Sequence, residues 1–312
     1  MELRPIDSGL PITPVSRLNS TRIEPIDPSR VQAMSSEQIR ALEAYNNQVL
    51  GDVEKIRGLG GLGAQGAAEP ATQKDVVEIE VVQGASRVRA RMRRLGVGSY
   101  DVEVGSDKFR MTLSASLDGQ AEQFARELLQ EYVKIPQHMR HVLKEVRITD
   151  GPNPADKEWE KRYGIPGFSS AASAGDGVMT FYNGAKHQGR STVAHAFVHE
   201  FGHLVGQQVE ENQDTWLERL LPRRFDSQRY PDGWEKAMKA DGKAVDGGQP
   251  VVGADGKERQ YSESSPAEDF AEAFQEYVKV YLQGKEALAK FHATYPNRAK
   301  ILADIFSGRQ KV

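Results

Sequence analysis

His199-Glu200-Phe201-Gly202-His203 sets two imidazoles four residues apart, with a carboxylate directly after the first. On a helix, positions four apart lie on one face, so both rings can reach one metal ion while Glu200 leans over its open side. The spacing fits the HExxH signature, in which bound zinc activates water and the glutamate takes the proton. The alternative is a pair of core histidines satisfied by hydrogen bonds. His195 adds a third imidazole at the same interval, but Ala196 stands where its base would be. His195 therefore reads as a structural neighbour of the site rather than a ligand.

A helix must carry these side chains. Ser191 or Thr192 can cap it, and Val193, Ala196, Phe197, Phe201, Leu204 and Val205 form an apolar stripe along residues 192–209 that would bury it. Two nitrogens do not complete a catalytic zinc site, which takes three protein ligands and keeps one exchangeable position. Downstream, Ser265-Pro266 is an N-cap and N1 pair for a second helix, on which Glu268 and Glu272 share a face. Phe270, Ala273, Phe274, Tyr277, Val278 and Tyr281 form the opposing apolar set. Glu268 has two readings: it can close a capping box with Ser265, or it can supply the third ligand. The missing ligand favours the second reading, since neither Glu263 nor Asp269 is as well placed. One turn deeper, Glu272 either receives the second N–H of a ligating imidazole or is an ordinary solvated glutamate.

HEFGH, followed by a Tyr seven residues before the first Glu of Glu268-Asp-Phe-Ala-Glu-Ala-Phe274, resembles the catalytic domain of anthrax toxin lethal factor and the related Pro-Pro endopeptidases. The resemblance runs from about Arg147 to the C-terminus. It implies Zn²⁺ bound by His199, His203 and Glu268, with Glu200 activating water and Tyr261 assisting at the metal. It also implies an α+β, zincin-like metallopeptidase domain with a small twisted sheet, the HExxH helix and the downstream Glu-bearing helix. In that family an edge strand beside the zinc helix pairs with an extended peptide. The β-prone run Val178-Met-Thr-Phe-Tyr-Asn183 fits that role, the alternative being an interior strand. The stretch between His203 and Glu268 is longer than the family's usual connection, which bears on the shape of the cleft.

Composition narrows the function classes. At 312 residues the chain can bury a sizeable core, and a net charge of −3 gives no global drive toward nucleic acid or anionic membrane. The absence of cysteine excludes a disulfide-linked partner, a thiolate nucleophile and Cys-based zinc sites, leaving His and carboxylates as ligands. We expect no membrane span and no Sec signal peptide. The expected partner is a protein or peptide substrate. By resemblance the chain would be a secreted bacterial effector or toxin, exported without a Sec signal and acting in a target cell, with its N-terminus as export signal or prosegment. A cytoplasmic protein is the alternative location. Two other classes are a catalytically inactive zincin-fold binding module and a virion or assembly component. Intact Glu200 argues against the first, and no sequence feature favours the second.

Three segments follow from the chain's texture. Residues 1–34 mix Pro, Ser, Thr and Arg without a period and are expected to be disordered. Residues 35–73 carry a helix to about Arg57 and a Gly/Ala-rich linker, Gly58–Pro70, which lacks the Gly-Lys-Ser/Thr ending of a phosphate loop. Residues 74–312 form the metallopeptidase domain, with its core motifs at 178–281. Within it, Val77–Val82 and Arg87–Arg93 alternate strictly about Gly84-Ala85, so a hairpin sets Glu80 opposite Arg89 and Glu78 opposite Arg91. The arginines are thereby neutralised, which argues against a nucleic-acid patch. Asp101–Leu113 reads as strand, Gly119–Val133 and His138–Lys144 as helices, and Val146–Thr149 as strand. The 207–260 segment, with Trp216, Pro222-Arg-Arg224 and a Val251–Gln260 hairpin turning at Asp255-Gly256, is expected to overhang the cleft.

Overall fold

The structure, a computed structural model, describes residues 75–83, 86–187, 189–213, 229–245, 250–252 and 255–312. The expectations for residues 1–34, for the helix and linker of 35–73, and for Trp216 and Pro222–Arg224 fall outside these residues.

Alternation fixes the first hairpin. Strand β1 (Val76–Gln83) pairs antiparallel with β2 (Ser86–Gly96), setting Glu80 opposite Arg89, Glu78 opposite Arg91 and Ile79 opposite Ala90. Ile79, Val81, Ala90 and Met92 are buried. On the other face Arg87 donates to Glu80 at 2.9 Å and Arg91 to Glu78 at 3.1 Å. Such exposed pairs add little stability, so burial of the opposite face sets the register.

Asp101–Leu113, expected as one run, is two antiparallel strands, β3 (Ser99–Val104) and β4 (Asp107–Leu113). The chain turns between them at Gly105, whose φ of +62° suits a residue without a Cβ. Helix α1 (Ala121–Tyr132) buries Phe124, Ala125, Leu128, Leu129 and Tyr132 along one face, as its period predicts. The second expected helix is only a 3₁₀ segment, Gln137–Val142. Its buried residues, Met139 and Val142, stand three apart, the repeat of that tighter coil.

Strand β5 (Glu145–Ile148) lies parallel to β4, and Helix α2 (Asp156–Tyr163) occupies the connection that leads to β6 (Ala172–Gly175). Strand β7 (Val178–Phe181) is parallel to β5 and antiparallel to β6, giving a mixed sheet ordered β1-β2-β3-β4-β5-β7-β6. Of the two readings of Val178–Phe181, the interior strand is the one that holds. The edge is Ala172–Gly175, because the chain doubles back at Asp176-Gly177, where both residues take positive φ. Ala-Ser-Ala-Gly has little intrinsic strand preference, and pairing with β7 makes it a strand.

Helix α3 (Thr192–Gln213) packs against α1, β6 and β7, and helix α4 (Trp234–Asp241) follows it among the described residues. A short hairpin, β8 (Pro250–Val252) with β9 (Glu258–Gln260), pairs Val251 with Arg259 about Asp255-Gly256, as the sequence suggests. Helices α5 (Pro266–Gln283), α6 (Lys285–Thr294) and α7 (Pro296–Phe306) complete an α+β fold. Helix α4 packs into the core through Trp234 and Ala237. Trp234 is fully buried and meets Phe270 edge-on at 4.9 Å, so this part of the 207–260 segment belongs to the core. Among the described residues no helix is long and apolar enough to cross a membrane.

The α3–α5 contact is close because two glycines of α3, Gly202 and Gly206, face α5. A Cβ on Gly202 would lie 3.0 Å from Ala271 Cα and 3.2 Å from Phe274 Cβ; one on Gly206 would lie 3.0 Å from the Phe270 ring and from the Arg229 carbonyl oxygen. Replacing a mid-helix glycine by alanine ordinarily gains about 1 kcal/mol of helix propensity. Here an inserted methyl meets backbone that cannot swing aside, and overpacking typically costs about 1–3 kcal/mol. Gly202→Ala should therefore lower the melting temperature despite its better propensity. A thermal unfolding curve checks this, and an unchanged or higher midpoint would show that the helices part at no cost.

Candidate metal centre

The close approach brings three potential ligands to one point. His199 and His203 lie on the α3 face that meets α5, whose first turn is capped by Ser265: the Glu268 N–H donates to Ser265 Oγ at 3.2 Å. The Glu268 side chain points toward α3. His199 Nε2 is 3.1 Å from Glu268 Oε2, His203 Nε2 is 3.4 Å from the same oxygen, and the two Nε2 atoms are 3.2 Å apart. Ligands about 2.0–2.1 Å from a tetrahedral ion stand about 3.3–3.4 Å from one another, so the three separations suit such an ion closely. All three residues are buried, and they lie close enough to bind one metal ion.

The imidazoles are aimed by different means. Glu272 Oε1 lies 3.0 Å from His199 Nδ1, so it accepts that nitrogen's proton and leaves Nε2 as the ligand atom. Of the two readings of Glu272, the solvated one fails, since the residue is buried. His203 Nδ1 has no hydrogen-bond partner among the described residues, so packing and the Nε2 contacts with Glu268 and His199 orient that ring.

The electrostatics ask for positive charge. Burial disfavours the imidazolium of His199, yet Glu268 and Glu272 outweigh it and hold its pKa well above the ordinary value. Burial would raise the pKa of Glu268, but His203 and His199 overcome that and keep it far below the usual carboxylate range. Glu200, also buried, has its pKa raised by desolvation and by Glu268, against the opposing pull of His203 and His199. Its carboxylate makes no hydrogen bond to another described residue. Tyr261 lies with its ring 5.9 Å from that of His199. Burial, followed by the charges of Glu268 and its neighbours, raises the Tyr261 pKa well above 10.0, so the phenol keeps its proton.

Other candidates fall elsewhere. His195 is exposed and lies outside the metal-binding group. Glu263 closes a capping box with Gln260 in the 3₁₀ turn Tyr261–Ser264. Asp269 receives two hydrogen bonds from Arg298, each 2.8 Å, and one from Trp234 Nε1 at 3.0 Å. This buried two-point pair ties the first turn of α5 to α7 and α4. Tyr163, at the end of α2, was not legible as a site residue. Its hydroxyl donates to Glu268 Oε1 at 2.9 Å across 105 positions of sequence. No family model matches the chain, and no curated protein does.

Adjacent acids on α5 thus have separable duties. Glu268→Gln removes an anion from the three-residue group and should abolish stoichiometric binding of a divalent metal while the protein still unfolds cooperatively. Asp269→Asn leaves Arg298 poorly paired in the core and should lower stability by about 3–5 kcal/mol, while the folded fraction still takes up metal. Metal content and denaturant unfolding, measured on both variants, separate the two. Equal metal loss in both would remove Glu268 from the centre.

Proposed function

We propose that the protein is a zinc-dependent endopeptidase that hydrolyses peptide bonds in protein substrates. The observation that carries this reading is a three-atom N, N, O set at tetrahedral spacing, with buried Glu200 following the first ligand in the chain and bonded to no other described side chain. Two histidines and a glutamate are a donor set of catalytic zinc sites that keep an exchangeable position, and the sequence has no cysteine to form a closed structural one. When bound, zinc supplies a Lewis acid that acidifies water and polarises a carbonyl.

The chain's own groups do the rest. Glu200, with its pKa raised by burial, accepts a proton from the attacking water and returns it to the leaving nitrogen. Tyr261, held protonated, donates to the carbonyl oxygen as it gains charge. Glu272 fixes the His199 ring throughout. An extended substrate would add to the edge strand β6, which packs against α3. Gln207, one turn beyond His203, receives the Asp176 N–H at 2.8 Å and donates to its carboxylate at 2.9 Å, tying the end of β6 to the metal helix.

The sequence resemblance to lethal factor and the Pro-Pro endopeptidases supports reading these elements as a zincin-like domain. On that resemblance alone, the biological role is that of a secreted bacterial effector or toxin. A binding module with a silent site would have no use for a buried, uncommitted glutamate beside the ligands.

Glu200→Gln should keep zinc and fold while losing at least about a hundredfold in turnover, since positioned general bases contribute about 10²–10⁴. Mapping the new protein N-termini generated in a proteome by wild type and variant, with zinc content checked in parallel, tests this. Cleavage by the variant within about tenfold of wild type would defeat the mechanism.

A further inference from the structure

The two oxygens of Glu268 have different partners. Oε2 faces the imidazole nitrogens at 3.1 and 3.4 Å, whereas Oε1 accepts the Tyr163 hydroxyl at 2.9 Å. Resting on the metal-site reading above, we propose that Tyr163 is a positioning residue that restricts Glu268 to a single coordinating oxygen. A carboxylate can bind a cation through one oxygen or both. Two-oxygen binding by Glu268 would occupy the position that water and substrate need.

The phenol is suited to prevent this. Its bond to an ionised carboxylate is charge-assisted, and Glu268 is buried, so turning Oε1 toward the metal would forfeit a strong contact where water cannot replace it. The donor is also held in place. The Tyr163 ring stacks on Trp159 with centroids 5.3 Å apart and an interplanar angle of 18°, and it meets Phe168 edge-on at 5.4 Å. Gly164, at φ +62°, ends α2 immediately after Tyr163 and fixes where the side chain emerges. Two tyrosines thus divide the work at the centre: Tyr163 holds Glu268, and Tyr261, whose hydroxyl bonds to no other described side chain, serves the substrate. The residues between α2 and β6 then link the metal ligand to the strand that takes the substrate.

Cobalt(II) in place of zinc reports the coordination number through its visible absorption, which is strongest when four-coordinate. Tyr163→Phe deletes the hydroxyl alone and should weaken the visible bands of the bound cobalt at least about twofold, with metal affinity falling about 10- to 100-fold. Phe168→Leu disturbs the same aromatic cluster but keeps the hydroxyl, so its spectrum and affinity should match wild type. Far-ultraviolet circular dichroism confirms that both variants are folded. If wild type binds cobalt and Tyr163→Phe is indistinguishable from it, the positioning role falls and the metal site stands. Equal changes in both variants assign the effect to loop packing and also overturn the role. Failure of the wild type to bind cobalt removes the metal reading and this inference together.

Discussion

Everything at the centre depends on how closely two helices meet. Gly202 and Gly206 clear one side of α3, and Ala271 and the Phe270 ring of α5 occupy the cleared space. With ordinary side chains there, α3 and α5 would stand farther apart, and the 3.1 Å between His199 Nε2 and Glu268 Oε2 would open beyond the reach of one ion. The contact is held from both sides. On one side α3 rests on α1 and the β6–β7 end of the sheet. On the other, Arg298 grips Asp269, the residue after Glu268, and Trp234 donates to the same carboxylate. Helix α7 is thereby tied to the residue next to Glu268.

Closeness creates an electrostatic problem whose solution is a cation. Glu200, Glu268 and Glu272 are all buried around two imidazoles. Taking a carboxylate out of water costs several kcal/mol unless positive charge and hydrogen bonds replace what is lost. Glu268 and Glu272 both lie within hydrogen-bond reach of His199, so negative charge converges on that ring from two sides. A divalent ion at the same point would supply the positive charge that these buried carboxylates favour. Glu200 makes no hydrogen bond to another described residue, which on the proposed mechanism leaves it available for proton transfer.

What the sequence disclosed follows from the range of the forces involved. His199, Glu200 and His203 could be read because helical period puts i and i+4 on one face, and Glu268 with Glu272 because Ser265-Pro266 fixes the phase of the next helix. The β1–β2 register was legible to the residue, since strict alternation permits only one burial pattern. Sequence could not tell the edge strand from its neighbour, because β-propensity marks Val178–Phe181, whereas the edge position of Ala172–Gly175 comes from chain reversal at Asp176-Gly177. His138–Lys144 carried too few apolar residues to tell a 3₁₀ turn from a helix. Tyr163 and Arg298 act through contacts made only after folding, and no local pattern marks either one.

The central claim is that one zinc ion sits between α3 and α5. Anomalous diffraction at the zinc edge, from crystals grown with zinc, tests it directly. The account predicts a single strong peak per chain, bonded at about 2.0–2.1 Å to His199 Nε2, His203 Nε2 and Glu268 Oε2, with Glu268 Oε1 still on the Tyr163 hydroxyl. A peak elsewhere, no peak, or one whose third protein ligand is Glu272 or Asp269 would contradict it.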